Sequence, residues 1–260
     1  MRFQFSTLSF AGLVCLSSLA GHVQATPPDL SFLCDKMPEV CTNMCWAVRC
    51  ASPTFPQTLT FDFPTDKTKD ARRTKAGCNP HGNKCGTKNS GPGHRGPPNT
   101  SCDEYPFASV KEADGGPQVS RCVPGPENSR QGQALSTLQK KWKKEGKTRF
   151  LIGFGNPGST GVRYCNNEPC TADGFEVQDG KVAKRDAQQP MFRYYRTRAG
   201  MVLASIDKVD FPSNFTRMQH EADVVDGGFE LWTEVDEEFG ELRYVEDTVM
   251  EELSWDHFLK

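Results

Sequence analysis

Apolar and polar residues alternate from Thr58 to Phe63, which predicts a strand with Leu59, Phe61 and Phe63 turned inward. Pro64 ends it, and Asp66 is placed to cap a short basic helix over Lys67–Ala76. Gly77–Thr100 is poor in apolar residues and rich in Gly, Pro, Asn and Lys, so it reads as a long loop. Val119–Val123 reads as a strand. Gln131–Glu145 carries Leu135, Leu138 and Trp142 at helical spacing, and Gly146 stops that helix. Thr148–Phe154 is a hydrophobic strand; Met191–Arg196 and Gly200–Ile206 are two more, before a surface turn at Phe211–Asn214. Strand, strand, helix, strand in this order is an α+β pattern with a mixed or antiparallel sheet. From Glu221 the chain turns acidic but keeps Phe229, Trp232, Tyr244 and Trp255, too aromatic for plain disorder.

The first residues change the picture from a bare domain to a targeted one. Arg2, an apolar Leu8–Ala20 and the small-x-small Val23-Gln24-Ala25 make a signal peptide of residues 1–25, too short to span a bilayer. A cysteine-rich cap over 26–57, a domain over 58–210 and an acidic extension over 211–260 packed on it follow. The expected location is outside the cell, with no membrane contact after cleavage. Ten cysteines remain after Cys15 leaves, an even number that favours disulfides in such a chain. Cys102 and Cys122 bracket one stretch; Cys78 with Cys85, and Cys165 with Cys170, are near enough to close short loops. The four earliest cysteines suit a small N-terminal knot. Zinc is disfavoured, because there is no C-x-x-C and no His at ligand spacing. Asn99 and Asn214 head glycosylation sequons.

Net charge is only −2 and names no partner. Its distribution is more informative: residues 66–149 hold 17 Lys and Arg against 8 Asp and Glu, while residues 221–256 hold 14 acids. The lysines at 140, 141, 143 and 144 suit either a solvated helix face or a track for backbone phosphates. His81 and His94 lie in the long loop, where a lone His is usually solvated. The G-N-P-G-S-T run after Phe154 is too short for a phosphate-cradling loop.

The polar residues concentrate in Ser101–Gly132. Asp103 and Glu104 follow a cysteine and precede Tyr105-Pro106; Gly115-Gly116 breaks the chain; Glu127-Asn128 opens the helix, followed by Arg130-Gln131-Gly132. Carboxylate and amide oxygens suit a hard divalent ion and a water nucleophile. This C-D-E-Y-P-F-A and E-N arrangement, with Phe63-Pro64-Thr65-Asp66 upstream, resembles the NucA/NucB family of secreted deoxyribonucleases over roughly residues 59–154.

The resemblance implies a ββα-metal-like nuclease core, disulfide-stapled here. It implies a monomeric enzyme that cuts DNA with a divalent ion, Mg or Mn. Asp103 is then the base, Asn128 and Glu127 hold the metal, Glu104 is a neighbouring acid and Arg130 clamps the scissile phosphate. Lys140, Lys144 and Arg72 are the expected contacts to the DNA backbone. Ser129 and Gln131 expand the family's N-R-G turn. On an extended piece Asp103 and Glu104 point to opposite sides, so one of them faces the water. The competing reading is a non-enzymatic, disulfide-rich secreted binding protein on a degenerate nuclease fold.

Overall fold

A computed structural model describes residues 26–79, 82–186, 188–220, 229–236 and 240–254. The expected signal peptide, His81 and the aromatic residues after Ser254 lie outside them. Strand β1 (Leu30–Leu33) leads into helix α1 (Pro38–Cys45), which runs on as a π-helical turn over Trp46–Cys50. β2 (Thr58–Thr60) and α2 (Asp66–Lys75) follow, then β3 (Ser101–Tyr105), a 3-10 turn over Lys111–Asp114, β4 (Val119–Val123) and α3 (Gly125–Glu145). The remainder is β: β5 (Arg149–Gly155), β6 (Val177–Gln178), β7 (Lys181–Val182), β8 (Arg193–Thr197), β9 (Val202–Ser205), β10 (Ser213–His220), β11 (Phe229–Asp236) and β12 (Gly240–Leu253).

The chain is mixed α+β, with its strands in two systems. β1, β5, β9, β8, β12 and β10 pair in a closed ring, because β1 bonds to both β5 and β10. β2 continues the edge of β5, and β11 hangs on β12. The period of two sorts the side chains of this barrel. Leu33, Tyr195, Leu203, Phe215 and Val249, one from each of five staves, form one buried cluster and fill the interior. Leu30, Phe32, Ile152, Phe154, Tyr194 and Ala204 face outward into the larger core with the helices. β5 supplies glycine to the narrow interior: a Cβ at Gly155 would lie 2.8 Å from the Met201 sulfur. The interior also holds Arg217 and Asp247, both fully buried, with Nε and Oδ2 3.7 Å apart.

The second system is the antiparallel sheet β3-β4-β6-β7. Helix α3 follows the β3–β4 hairpin directly and crosses β3, where the Asn128 side chain reaches the Cys102 carbonyl. Its apolar stripe, Leu135, Leu138 and Trp142, is buried as the spacing predicts. Trp142 meets Phe61 and Phe150 edge-on, at 6.3 and 5.9 Å between ring centroids.

Several expectations need correction. Thr65, not Asp66, caps α2: its hydroxyl accepts from the Thr68 amide, and Asp66 sits in the first turn. α3 begins at Gly125, so Asn128 is already helical. The disulfides join Cys34 to Cys41, Cys45 to Cys165, Cys50 to Cys170, Cys78 to Cys102 and Cys85 to Cys122. All three expected pairings are therefore overturned. Cys102 and Cys122 lie directly opposite on β3 and β4. Such neighbours have Cβ atoms about 4.5–5.5 Å apart, and a disulfide wants about 3.8 Å. Each instead reaches out to the 78–85 loop and pins it to the hairpin. Cys165 and Cys170 match the spacing of Cys45 and Cys50, and the two pairs form adjacent rungs. Residues 211–260, expected as an extension, supply two of the barrel's staves, and Ser213 and Asn214 begin β10 rather than a turn.

Candidate active-site cleft

A cleft of 510 Å³ opens where α2, β3, the 78–83 loop and the first turns of α3 meet. β3 places Glu104 in its wall. The next residue back, Asp103, points the other way and is 1% exposed. The alternation expected of an extended piece thus decides which carboxylate meets solvent. The Glu104 side chain is 13% exposed, and its carboxylate lies 3.9 Å from Arg73 Nε. Burial pushes Glu104 up to about 7; Arg73 opposes the shift without cancelling it.

Asn128 lines the cleft from α3. Its Nδ2 donates to Ser101 Oγ at 2.8 Å and to the Cys102 carbonyl at 3.0 Å. With the amide nitrogen committed to β3, its Oδ1 is left for other partners. Lys69 and Arg73, one turn apart on α2, bring positive charge, and Ser136 and Gln139 continue the wall along α3.

Asp103 stands one side chain behind this wall. Asn43 Nδ2, from α1, donates to its Oδ2 at 2.9 Å. Burial raises Asp103 well above its ordinary value, and the charge of Glu104 adds to the rise; hydrogen bonds from Asn43 and Gln131 pull it back. Gln131 is buried, lines the cleft and faces Asp103, whose carboxyl its side chain helps to hold.

Other expected residues are elsewhere. Glu127 Oε2 accepts from the Glu39 and Val40 amides at 2.8 and 3.3 Å, which ties the start of α3 to the start of α1. Arg130 donates to the Lys36 carbonyl at 3.1 Å. Neither lines the cleft. Arg72 is 2% exposed and forked between Asp62 and Asp114, so it cannot meet a DNA backbone. Lys140 lines a groove beside the cleft; Lys144 is exposed and lines neither. His94 is not in the cleft wall. Sequence reasoning missed Arg73 as an individual site residue. The i, i+4 spacing of Lys69 and Arg73 was the available signal, because it separates their stripe from the one shared by Arg72 and Ala76.

Across the hairpin from Asp103, Arg121 on β4 belongs to a charge cluster: Glu39 holds Arg95 and Arg121, and Arg121 also binds Asp173 and Glu176, ahead of β6. Burial pushes Glu39 up, but the two guanidiniums win and hold it below the usual range.

No curated protein and no solved structure matches this chain. Among the described residues, no helix is long and apolar enough to cross a membrane. One family model does match, that of deoxyribonuclease NucA/NucB, over residues 44–152. That span holds α2, β3, β4 and α3, and with them every residue of the cleft wall named above. Over residues 44–152, less than half of its length, this chain is therefore similar to the NucA/NucB deoxyribonuclease family.

Proposed function

We propose that this protein is a secreted, metal-dependent endonuclease that hydrolyses DNA phosphodiester bonds with little base preference. The observation that carries this reading is Glu104, with a pKa near 7, beside Asn128 in a cleft lined by Lys69 and Arg73. A general base works best when its pKa lies near the working pH. Lys69 and Arg73 hold the phosphate, Glu104 takes the proton from the attacking water, and Asn128 fixes the geometry of the wall. Five disulfides agree with an oxidising compartment outside the cell.

A divalent ion fits the donor set. Among the described residues no three His, Cys, Asp or Glu cluster together. The oxygens at the cleft include the Glu104 carboxylate, the Asn128 amide and the Ser101 hydroxyl. Mg²⁺ usually keeps several waters and takes only one or two protein ligands plus phosphate. Asn128 would be one such ligand, which leaves Glu104 free to act as the base. When bound, the ion would neutralise phosphate charge and lower the pKa of a water.

Asp103 is a second candidate for the base, since its partner Gln131 lines the cleft. Glu104→Gln and Asp103→Asn variants decide between them: the variant that loses turnover while staying folded identifies the base. The first test is simpler. Purified protein with plasmid DNA should nick and linearise it, and EDTA should stop the reaction. Intact plasmid at every metal concentration would leave the binding-protein reading.

A further inference from the structure

We infer that Phe63 forms a base-stacking subsite for a single strand of nucleic acid next to the cleft; this rests on the nuclease reading above. A groove of 200 Å³ adjoins the cleft and shares Lys69 and Gln139 with it, so one strand can run through both. The rest of its wall is Phe63, Pro64, Lys140 and Lys143. Three lysines around one aromatic ring is the arrangement that binds single strands: cations follow the phosphates while a ring face takes a base. The occupant is a strand with unstacked bases, since a base inside a duplex offers no free face.

Phe63 lies beyond the end of β2, half-buried and packed on the core at one side while lining the groove at the other. Leu59 and Phe61 are buried inward, and strict alternation would bury Phe63 as well. Its φ of +48° is an outlier for a bulky side chain and turns the ring to the groove. Such outliers gather at ligand-binding positions. The ring is supported from below by Phe61, 6.2 Å away and inclined by 28°. The Lys143 ammonium lies 5.9 Å from the ring centroid. Lys143 is exposed, so it can follow a phosphate while the ring takes the base.

The test measures binding apart from turnover. A fluorescein-labelled single-stranded DNA 12-mer, its duplex and an abasic 12-mer are titrated with the full protein in EDTA, and anisotropy is read. Phe63→Leu should weaken single-strand binding about tenfold and leave the abasic strand and duplex within about twofold. Phe63→Tyr, which keeps the ring, should restore binding. Lys143→Met should reduce the salt slope by about 0.7 on the single strand. Thermal melts confirm that each variant is folded. A folded Phe63→Leu protein that binds all three probes like the wild type overturns the subsite. Equal losses on all three probes overturn it too, since a stacked base cannot explain a loss on the abasic strand. Absence of plasmid cleavage by the wild type counts against the nuclease reading alone, because the binding comparison needs no turnover.

Discussion

Glu104, as the proposed base, would couple activity to stability. Its folded pKa near 7 lies above the ordinary 4.5, because burial outweighs the attraction of Arg73. As a base it must be ionised, so turnover should rise as pH climbs through about 7. Glu104→Gln should lower kcat by about 10²–10⁴-fold and abolish that rise. The stability effect has the opposite sense. The folded state keeps the proton longer than the unfolded chain, so this group favours folding most below about pH 4.5. Its contribution is lost as pH rises toward 7. Glu104→Gln should therefore be more stable than the wild type at pH 8, by roughly 2–3 kcal/mol, and equal to it near pH 4. Urea titrations at the two pH values check this; equal stability at pH 8 would contradict a buried, strained carboxylate. The acidic pair was legible in the sequence, and so was its division between two faces. Which face holds the cleft was not, because that depends on where α2 and the 78–83 loop lie.

Helix α2 was legible as an element, but its orientation was not. Lys and Arg fill it so densely that no apolar stripe marks the buried side, and an arginine takes that place. Arg72 binds Asp62 and Asp114 and donates to the Ala108 carbonyl, so α2 is fixed to the chain on either side of the cleft. The exposures of the partners decide the cost of breaking this clamp. Asp62 and Asp114 are 31% and 57% exposed and can rehydrate, so Arg72→Met should cost only about 2–3 kcal/mol. Removing both acids strands a buried guanidinium, and Asp62→Ala/Asp114→Ala should cost about 3–5 kcal/mol. Denaturant midpoints rank the two. On the exposed stripe the effect is on substrate instead. Lys69→Met/Arg73→Met should raise KM and reduce the salt slope for duplex binding by about 1–2, with little change in stability. A loss of stability larger than that of Arg72→Met would mean that the stripes have been assigned the wrong way round.

The covalent framework of the whole molecule was the least legible part. Sequence distance favours short loops, such as Cys165 to Cys170, whereas folding brings together residues 120 apart. The two rungs Cys45–Cys165 and Cys50–Cys170 are not independent. With one in place, the other closes a ring of only about ten residues. Chain-entropy arithmetic then gives about 2–3 kcal/mol for losing either rung and about 7 kcal/mol for losing both. Urea unfolding of the Cys45→Ala/Cys165→Ala and Cys50→Ala/Cys170→Ala pairs and of their combination should show this excess over the sum. The barrel has a related consequence for how the molecule divides. β5 lies at the end of the family-matched span, yet it pairs with β1 before that span and with β9 after it. The matched stretch is therefore not a portable module. Cut out at residues 44 and 152, it would sever β5 and lose β1, leaving the stump of a hydrophobic strand covered by β2 on one edge only and open to other chains on the other. Such a fragment should collect in inclusion bodies while the intact chain stays dispersed. Any smaller enzyme built around the same cleft must shield that strand by some other means.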